Sequence, residues 1–164
     1  MAAAEIIGTA IGVMLLIIIA YILTGSTLIS AETVANAQKD LTLLNEARLR
    51  TSISLSKSDI IYPVVPQDLY FNVTNNGNEV ISDFVHIDIY TYNSTTSGFQ
   101  YYSYDKYDLG NTGNWSIILF YNDFIHPNQL DPGEKMRVRV KFPGITPLGV
   151  QVVTNNGVYA SVIV

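Results

Sequence analysis

The first thirty residues of the chain contain one long run of hydrophobic positions. Residues 6–23, IIGTAIGVMLLIIIAYIL, carry no charge, and with residues 25–29 the uncharged stretch continues to Ala31. A helix rises about 1.5 Å per residue, so about 20 apolar residues are enough to cross the hydrocarbon core of a bilayer. The pattern therefore predicts a transmembrane or assembly helix over residues 1–30.

Two other interpretations of this run are a buried core helix and a cleavable secretory signal. A core helix of this length normally keeps a polar face, which the run lacks. A secretory signal begins with basic residues, whereas the segment before the run, MAAAE, contains no Lys or Arg. We therefore expect an uncleaved N-terminal anchor.

Residues 31–50 continue the helical pattern but add a polar side. The segment has no Gly or Pro, and its apolar residues recur at spacings of three and four. This predicts a helical stalk with one apolar stripe. The stripe needs a partner, either the chain's own domain or other copies in a homo-oligomeric stalk. Its members are Val34, Ala37, Leu41, Leu44 and Ala47.

From residue 51 the period of the pattern changes from 3.6 to 2, which indicates β-strands. The clearest alternation lies in residues 135–142, where Met136, Val138, Val140 and Phe142 are expected to face inward. Residues 99–107 are predicted to form an edge strand, and residues 116–121, SIILFY, a strand in the core. The strands are predicted at 51–57, 69–73, 80–92, 99–107, 116–121, 135–142, 150–153 and 158–164.

These elements predict an α+β layout, in which a long N-terminal hydrophobic helix precedes an all-β domain. Seven or eight short strands separated by turns are typical of an immunoglobulin-like antiparallel β-sandwich. The expected divisions are a helix at 1–30, a helical stalk at 31–50 and a β-sandwich at 51–164. Cysteine is absent from the chain, so the disulfide of true antibody domains is excluded and the prediction concerns architecture.

Composition narrows the possible functions. The 164 residues include 9 Lys and Arg against 14 Asp and Glu, a formal net charge of −5, which argues against nucleic acid as a partner. The two histidines, His86 and His126, lie far apart and lack neighbouring ligands of the kind that a zinc site needs. No nucleophile motif, phosphate loop or catalytic acid pair appears. We expect no enzyme activity, no cofactor and no metal site.

The most distinctive charged pattern is the outward-facing row of the 135–142 strand. It consists of Lys135, Arg137, Arg139 and Lys141, four of the nine basic residues. A row of this kind is either a solvated sheet face, protected from edge pairing by its charge, or a docking strip for an acidic partner. We call these four residues the basic row.

Other candidate sites concern assembly and modification. Val85, Ile87 and Ile89 alternate along the predicted 80–92 strand, which favours either a central strand or a dimer contact. Glu5 lies in the first helical turn, where a carboxylate suits the helix dipole and where type IV pilins carry an assembly glutamate. Three N-x-[ST] triplets begin at Asn72, Asn93 and Asn114 and are possible glycosylation sites of an extracytoplasmic domain.

The combination resembles a known family. The apolar run, the helix QKDLTLLNEARLR, the segment FNVTNNGNEVISDF and the turn and strand DPGEKMRVRVKF together resemble the archaellum accessory proteins F and G. These stator-type proteins are relatives of archaellins and type IV pilins, and the resemblance covers the whole length in layout. It implies a non-catalytic outer domain that binds the surface-layer protein, can pair with itself and works with archaellum motor components.

Two alternatives keep the same layout but change the function. A filament subunit of the pilin or archaellin type would pack its N-terminal helix in a filament core instead of lipid. A tethered adhesin or solute-binding domain is the other. For the stator we expect a single-pass membrane location with the C-terminal domain outside the cell. The basic residues after the span, Lys39, Arg48 and Arg50, favour the opposite orientation, but the N-terminal tail is too short to compete.

Overall fold

The structure is a computed structural model that describes residues 2–63, 67–93 and 98–164. The chain forms two compact units, Met1–Leu44 and Asn45–Val164. The boundary between them falls inside the N-terminal helix.

One helix, α1, runs without a break from Ala2 to Arg50. By length and composition it is able to cross a membrane, and the side chains of its apolar run are exposed. The continuous helix through residue 50 confirms the helical pattern expected for the anchor and the stalk. In the stalk, Val34, Leu41 and Leu44 of the predicted stripe are exposed, while Ala47 is half-buried.

Hydroxyl side chains in the first part of α1 bond to the helix itself. Each Ser and Thr between residues 2 and 33 donates to a backbone carbonyl three or four residues earlier, as Thr24 does to Ala20 at 2.8 Å and Ser30 to Ser26 at 2.9 Å. This satisfies the hydroxyl without water or a neighbouring helix. The polar residues of the run are therefore compatible with an apolar environment.

The end of α1 is tied to a tight turn in the second unit. The Thr51 hydroxyl donates to the Ala47 carbonyl at 2.8 Å, and the Arg50 carbonyl accepts from the backbone N–H of Asn78 at 2.7 Å. Gly77 lies directly against this end, since a Cβ there would come within 2.4 Å of the Arg50 carbonyl oxygen. Only glycine permits so close a backbone approach.

Eight strands follow, separated by loops and by two short 3-10 turns at Lys57–Asp59 and Phe84–His86. The strands are β1 (Ile53–Leu55), β2 (Asp68–Asn75), β3 (Asp88–Asn93), β4 (Gly98–Tyr104), β5 (Asn114–Tyr121), β6 (Lys135–Lys141), β7 (Gly149–Val153) and β8 (Tyr159–Ile163). Their hydrogen-bonded order is β1-β2-β6-β5-β4-β3-β7-β8. Because β1 also contacts β8, the sheet curls into a nearly closed barrel or sandwich. The predicted α+β layout is confirmed.

Alternating residues of the strands fill the core as the period of two requires. Met136, Val138 and Val140 of β6 are fully buried, and Phe142 is nearly so, which confirms their predicted inward orientation. The largest fully buried side chains are Trp115 and Tyr102, whose rings no sequence pattern singled out. The two strands predicted at 150–153 and 158–164 pair with each other as the hairpin β7–β8.

Three predictions about the middle strands are wrong. Residues 80–92 do not form one strand, because a bridge joins Ile81 to Leu130 and the 3-10 turn at Phe84–His86 interrupts the chain before β3. Strand β4 is not an edge strand, since it lies between β3 and β5 and pairs with β5 in parallel. Strand β5 is not buried throughout, because a bulge between Ile117 and Leu119 leaves Ile118 and Leu119 exposed.

Candidate functional site

The basic row lies on the outer face of β6, between β2 and β5. Its four side chains are half-buried and alternate with the buried residues of the same strand. In the β2 register, Lys141 is opposite Asp68, Arg139 opposite Tyr70 and Arg137 opposite Asn72. The row was predicted to face outward, and the structure places it there among polar and aromatic neighbours.

Two cations of the row are neutralised by acids from loops. Arg139 forms an ion pair with Asp108, and the Ser116 hydroxyl donates to the same carboxylate oxygen. Lys135 lies 3.5 Å from an Asp59 oxygen. Asp108 has a positive φ of 52°, in a loop whose Asp105 carboxylate accepts from the backbone N–H groups of Tyr107 and Leu109. These acids are distant in sequence, so no pattern could have predicted the pairing.

Arg137 interacts with aromatic rings on both neighbouring strands. Its guanidinium lies 5.5 Å from the centroid of the Tyr70 ring, and Nη1 donates to the Tyr121 hydroxyl at 3.5 Å. The Tyr70 hydroxyl in turn donates to Asp68 at 3.2 Å. Within the described residues, Lys141 is the member of the row without an ion pair or ring contact. The row is therefore an integrated polar network in which Lys141 is the cation that remains open to a partner.

A second surface is aromatic and lies on β3 and β4. The rings of Tyr90 and Tyr101 are 5.7 Å apart and those of Tyr92 and Phe99 are 5.8 Å apart, each pair tilted by 53°. Phe99 is 66% exposed. Burial, followed by the charge of Asp88, raises the pKa of Tyr90 above its ordinary value. The sequence concentrates tyrosines in one short segment, at Tyr101, Tyr102, Tyr104 and Tyr107, and this concentration is the sequence signal for the surface.

The residues offered as a dimer contact do not share a surface. Ile87 and Ile89 are buried in the core, whereas Val85 is 68% exposed in the 3-10 turn. The alternation expected of a strand does not reach Val85, because the backbone turns before β3 begins. Ile87 and Ile89 are therefore unavailable to a second copy.

The remaining predicted residues occupy varied positions. Glu5 is exposed in the first turn of α1, and Asn72 and Asn114 are half-buried in β2 and at the start of β5. Asn93 ends β3, and the rest of its triplet, residues 94–95, lies outside the described residues. Glycosylation and an assembly role for Glu5 stay predictions.

The histidines are paired with acids. His86 Nδ1 lies 2.8 Å from Asp83 Oδ2, and His126 Nδ1 lies 2.7 Å from Asp131 Oδ1. Across residues 2–63, 67–93 and 98–164, no group of three His, Cys, Asp or Glu side chains is placed to hold a metal ion.

Solved structures of similar fold include two archaellum proteins. One is the archaellum periplasmic stator protein complex FlaF and FlaG from Sulfolobus acidocaldarius, with 19% identity, a TM-score of 0.50, and coverage of 68% of this chain and 87% of that chain. The other is the archaellum periplasmic stator protein FlaG from the same organism, with 18% identity, a TM-score of 0.51, and coverage of 70% of this chain and 99% of that one.

The chain has the fold of archaellum stator proteins. This confirms, at the level of fold, the resemblance seen in the sequence. No family model matches the chain, and no curated protein matches it. The chain thus shares the stator fold with the two Sulfolobus proteins at low sequence identity.

Proposed function

We propose that this protein is a non-catalytic stator component of an archaellum. It would be anchored in the cell membrane by α1 and would hold the surface-layer protein through its β-domain outside the cell. The observation that carries the proposal is the stator-type fold of the β-domain in a chain that also has a helix able to cross a membrane. The FlaF and FlaG neighbour is itself a complex, which supports association with other archaellum components.

The proposed role has a mechanical basis. A rotary motor that turns a filament needs a fixed point, and a membrane anchor joined to a rigid envelope layer provides one. Burial of the apolar run in lipid holds one end, at about 25 cal/mol for each Å² of apolar surface removed from water. A protein interface holds the other end, and several copies in one stator would add avidity under load.

The basic row is the proposed contact for an acidic surface-layer protein. Reversing all four charges would break the Arg139–Asp108 and Lys135–Asp59 pairs and disturb the domain. A sharper variant is Lys141→Glu, because Lys141 has no ion pair among the described residues. The matched control is Lys57→Glu, an exposed lysine in the first 3-10 turn.

The experiment is co-sedimentation of the full chain, in lipid nanodiscs, with isolated surface layers at low and high salt. A stator predicts saturable binding that weakens with salt, and Lys141→Glu should reduce it while Lys57→Glu should not. Equal binding by both variants would remove the basic row from the interface. Failure of the unaltered chain to bind surface layers would refute the surface-layer contact itself.

A second experiment separates the stator from a filament subunit. Cells that produce the chain are sheared, and the protein is followed in the membrane fraction and in the sheared filaments. Recovery with membranes, together with cleavage of the β-domain by protease added outside the cells, would support the stator and its orientation. Recovery in filaments would identify a pilin-type or archaellin-type subunit instead.

A further inference from the structure

Strand β5 has an unpaired edge over most of its length. Strand β4 runs beside it for two register pairs, Ser103 with Asn114 and Tyr104 with Trp115, and the Asp105 N–H then bonds to the Trp115 carbonyl at 2.7 Å. Among the described residues, Ile117 and positions 119–121 pair with β6 on one side, with Ile118 in the bulge, and none of these positions pairs with a strand on the other side. An open row of backbone donors and acceptors is a template for another strand.

A groove of about 800 Å³ follows this open edge. Residues 117–120 of β5 form one wall, residues 82–85 form the other, and the two walls meet where the Phe84 and Phe120 rings lie 5.7 Å apart. The lining includes the exposed side chains of Val85, Ile118 and Leu119. The groove therefore begins where β4 stops pairing, and its lining combines exposed apolar side chains with polar and charged ones.

The groove is lined by charged residues of both signs: Lys106, Asp123 and Asp83, the last of which is paired with His86. Lys106, which follows β4, has no ion pair within the described residues. Asp123 follows β5, and its Oδ2 accepts from the Asn128 N–H at 2.9 Å. The second oxygen, Oδ1, is buried and accepts no hydrogen bond from any described residue. An occupant with one acidic and one basic residue would complement Lys106 and Asp123.

We propose that this groove binds an extended segment of a partner protein as an added β-strand beside β5. The segment would place apolar side chains at alternate positions in the groove, with a carboxylate near Lys106 and a cationic residue near Asp123. Backbone hydrogen bonds to the open edge would give affinity, and the apolar side chains and the charges of the groove would give specificity, as in other strand-addition complexes. About five residues, at about 3.3 Å each, match the length of the open edge.

The inference goes beyond the stator proposal and does not depend on it. The basic row is on the face of β6, whereas the groove is on the other side of β5. A stator that failed to bind surface layers could still accept a strand here, so the two experiments fail independently.

The test uses a synthetic fluorescent peptide with the sequence Glu-Val-Thr-Val-Thr-Val-Lys, blocked at both ends. It is titrated with the full chain in lipid nanodiscs, with empty nanodiscs as the blank, and fluorescence anisotropy is measured. We expect saturable binding that Val85→Arg weakens by at least about tenfold, because the guanidinium would occupy the groove. The control Ile163→Arg, at an equally exposed position on β8, should bind as the unaltered chain does.

Two further measurements address the mode of binding. Two forms of the same peptide carry N-methyl groups on alternate residues, one at the odd positions and one at the even positions, so that each loses the N–H donors of one edge. If a β-ladder forms, the form that loses the donors facing β5 should bind at least about tenfold more weakly than the other form. Lys106→Glu should weaken binding of the original peptide, and a peptide with Lys at both ends should restore it.

Several results would overturn the proposal. The proposal is overturned if the peptide does not bind saturably or if the Val85→Arg variant binds it as tightly as the unaltered chain does. It is also overturned if the two N-methylated peptides bind equally tightly. Concentration-dependent dimerisation of the chain that Val85→Arg abolishes would assign the groove to a second copy instead. Binding of small apolar dyes without binding of the peptide would make it a pocket for small molecules.

Discussion

The Arg137 guanidinium lies over the Tyr70 ring, 5.5 Å from its centroid, on the outer face of the sheet. A side chain held in this way covers apolar surface with its stem, and its charge is attracted to the face of the ring. The same face holds the Arg139–Asp108 pair. The basic row is thus part of what stabilises the sheet, and its members must be tested for stability before they are tested for binding.

Arg139→Gln should destabilise the β-domain. Arg139 is the more buried partner of its pair, and its loss leaves the Asp108 carboxylate with the Ser116 hydroxyl. We expect the free energy of unfolding to fall by about 1–3 kcal/mol, measured by chemical denaturation of the chain. Arg50→Gln, which loses only exposed pairs with Glu46 and Glu79, is the control and should cost less than about 1 kcal/mol. Equal losses in the two variants would contradict this assignment.

Gly77→Ala should be more damaging than its size suggests. A Cβ at this position would lie 2.4 Å from the Arg50 carbonyl oxygen and 2.5 Å from the Ser52 nitrogen, both backbone atoms that cannot move aside cheaply. We expect a loss of about 2 kcal/mol or more, seen as a lower thermal unfolding midpoint. In Gly12→Ala the added methyl meets nothing within 4 Å, so that variant should keep the midpoint.

The corrected position of residues 84–89 is testable by truncation. Ile89→Ala removes a fully buried side chain and should cost about 2–5 kcal/mol in chemical denaturation. Val85→Ala removes an exposed side chain and should cost less than about 0.5 kcal/mol. Were residues 80–92 one strand with Val85, Ile87 and Ile89 on one face, the two substitutions would have similar costs.

Tyr62 should make the domain sensitive to alkaline pH. Burial raises the pKa of Tyr62 to about 12, and its hydroxyl donates to the Pro147 carbonyl at 2.8 Å. The unfolded chain releases this proton near pH 10, before the folded chain does, so the free energy of unfolding falls as pH rises from about 10 to about 12. Below pH 10 both states keep the proton and the contribution is intact.

The matched variant is Tyr62→Phe. Its stability should fall less between pH 10 and 12 than that of the unaltered chain, by up to about 2 kcal/mol after allowance for partial exposure of the ring. Denaturation curves at intervals of half a pH unit would show the difference. Parallel pH profiles for the two chains would mean that Tyr62 titrates alike in both states.

A charge in the apolar run should impair insertion. Leu16→Arg places a cation near the middle of the run, at a cost of about 3 kcal/mol on insertion scales. We expect a smaller share of the protein in the membrane fraction. Leu49→Arg, an exposed position at the far end of α1, should leave that share unchanged. Equal partitioning of both variants would argue against a lipid location for the run.

The elements that the sequence predicts well are those that one pattern controls locally. The alternation of β6 and the apolar run of α1 each follow from a single period, and both are confirmed. Residues 80–92 also alternate, but the bridge from Ile81 to Leu130 bends the chain away from any strand partner until Asp88. A local pattern does not contain that long-range contact.

The candidate sites were likewise predictable only where a local sequence pattern determines them. The outward direction of the basic row followed from the period of β6, whereas its acids, Asp59 and Asp108, come from loops that only the folded chain brings near. The groove beside β5 was beyond prediction, because it exists where β4 stops pairing after Tyr104. The residues of β5 do not indicate that a neighbouring strand is absent over part of its length.

The bonding of the Ser and Thr hydroxyls of α1 to their own helix has a consequence for a protein under torque. Since Thr9, Thr24 and Ser30 each donate their hydroxyl hydrogen to a carbonyl of the preceding turn, these side chains have no hydrogen-bond donor left for lipid or a neighbouring helix. We expect such an anchor to resist extraction along its axis but to rotate about that axis with little resistance. In the proposed stator, resistance to rotation would therefore have to come from the contacts of residues 45–164. A copy held by its anchor alone would rotate in the membrane instead of resisting the torque.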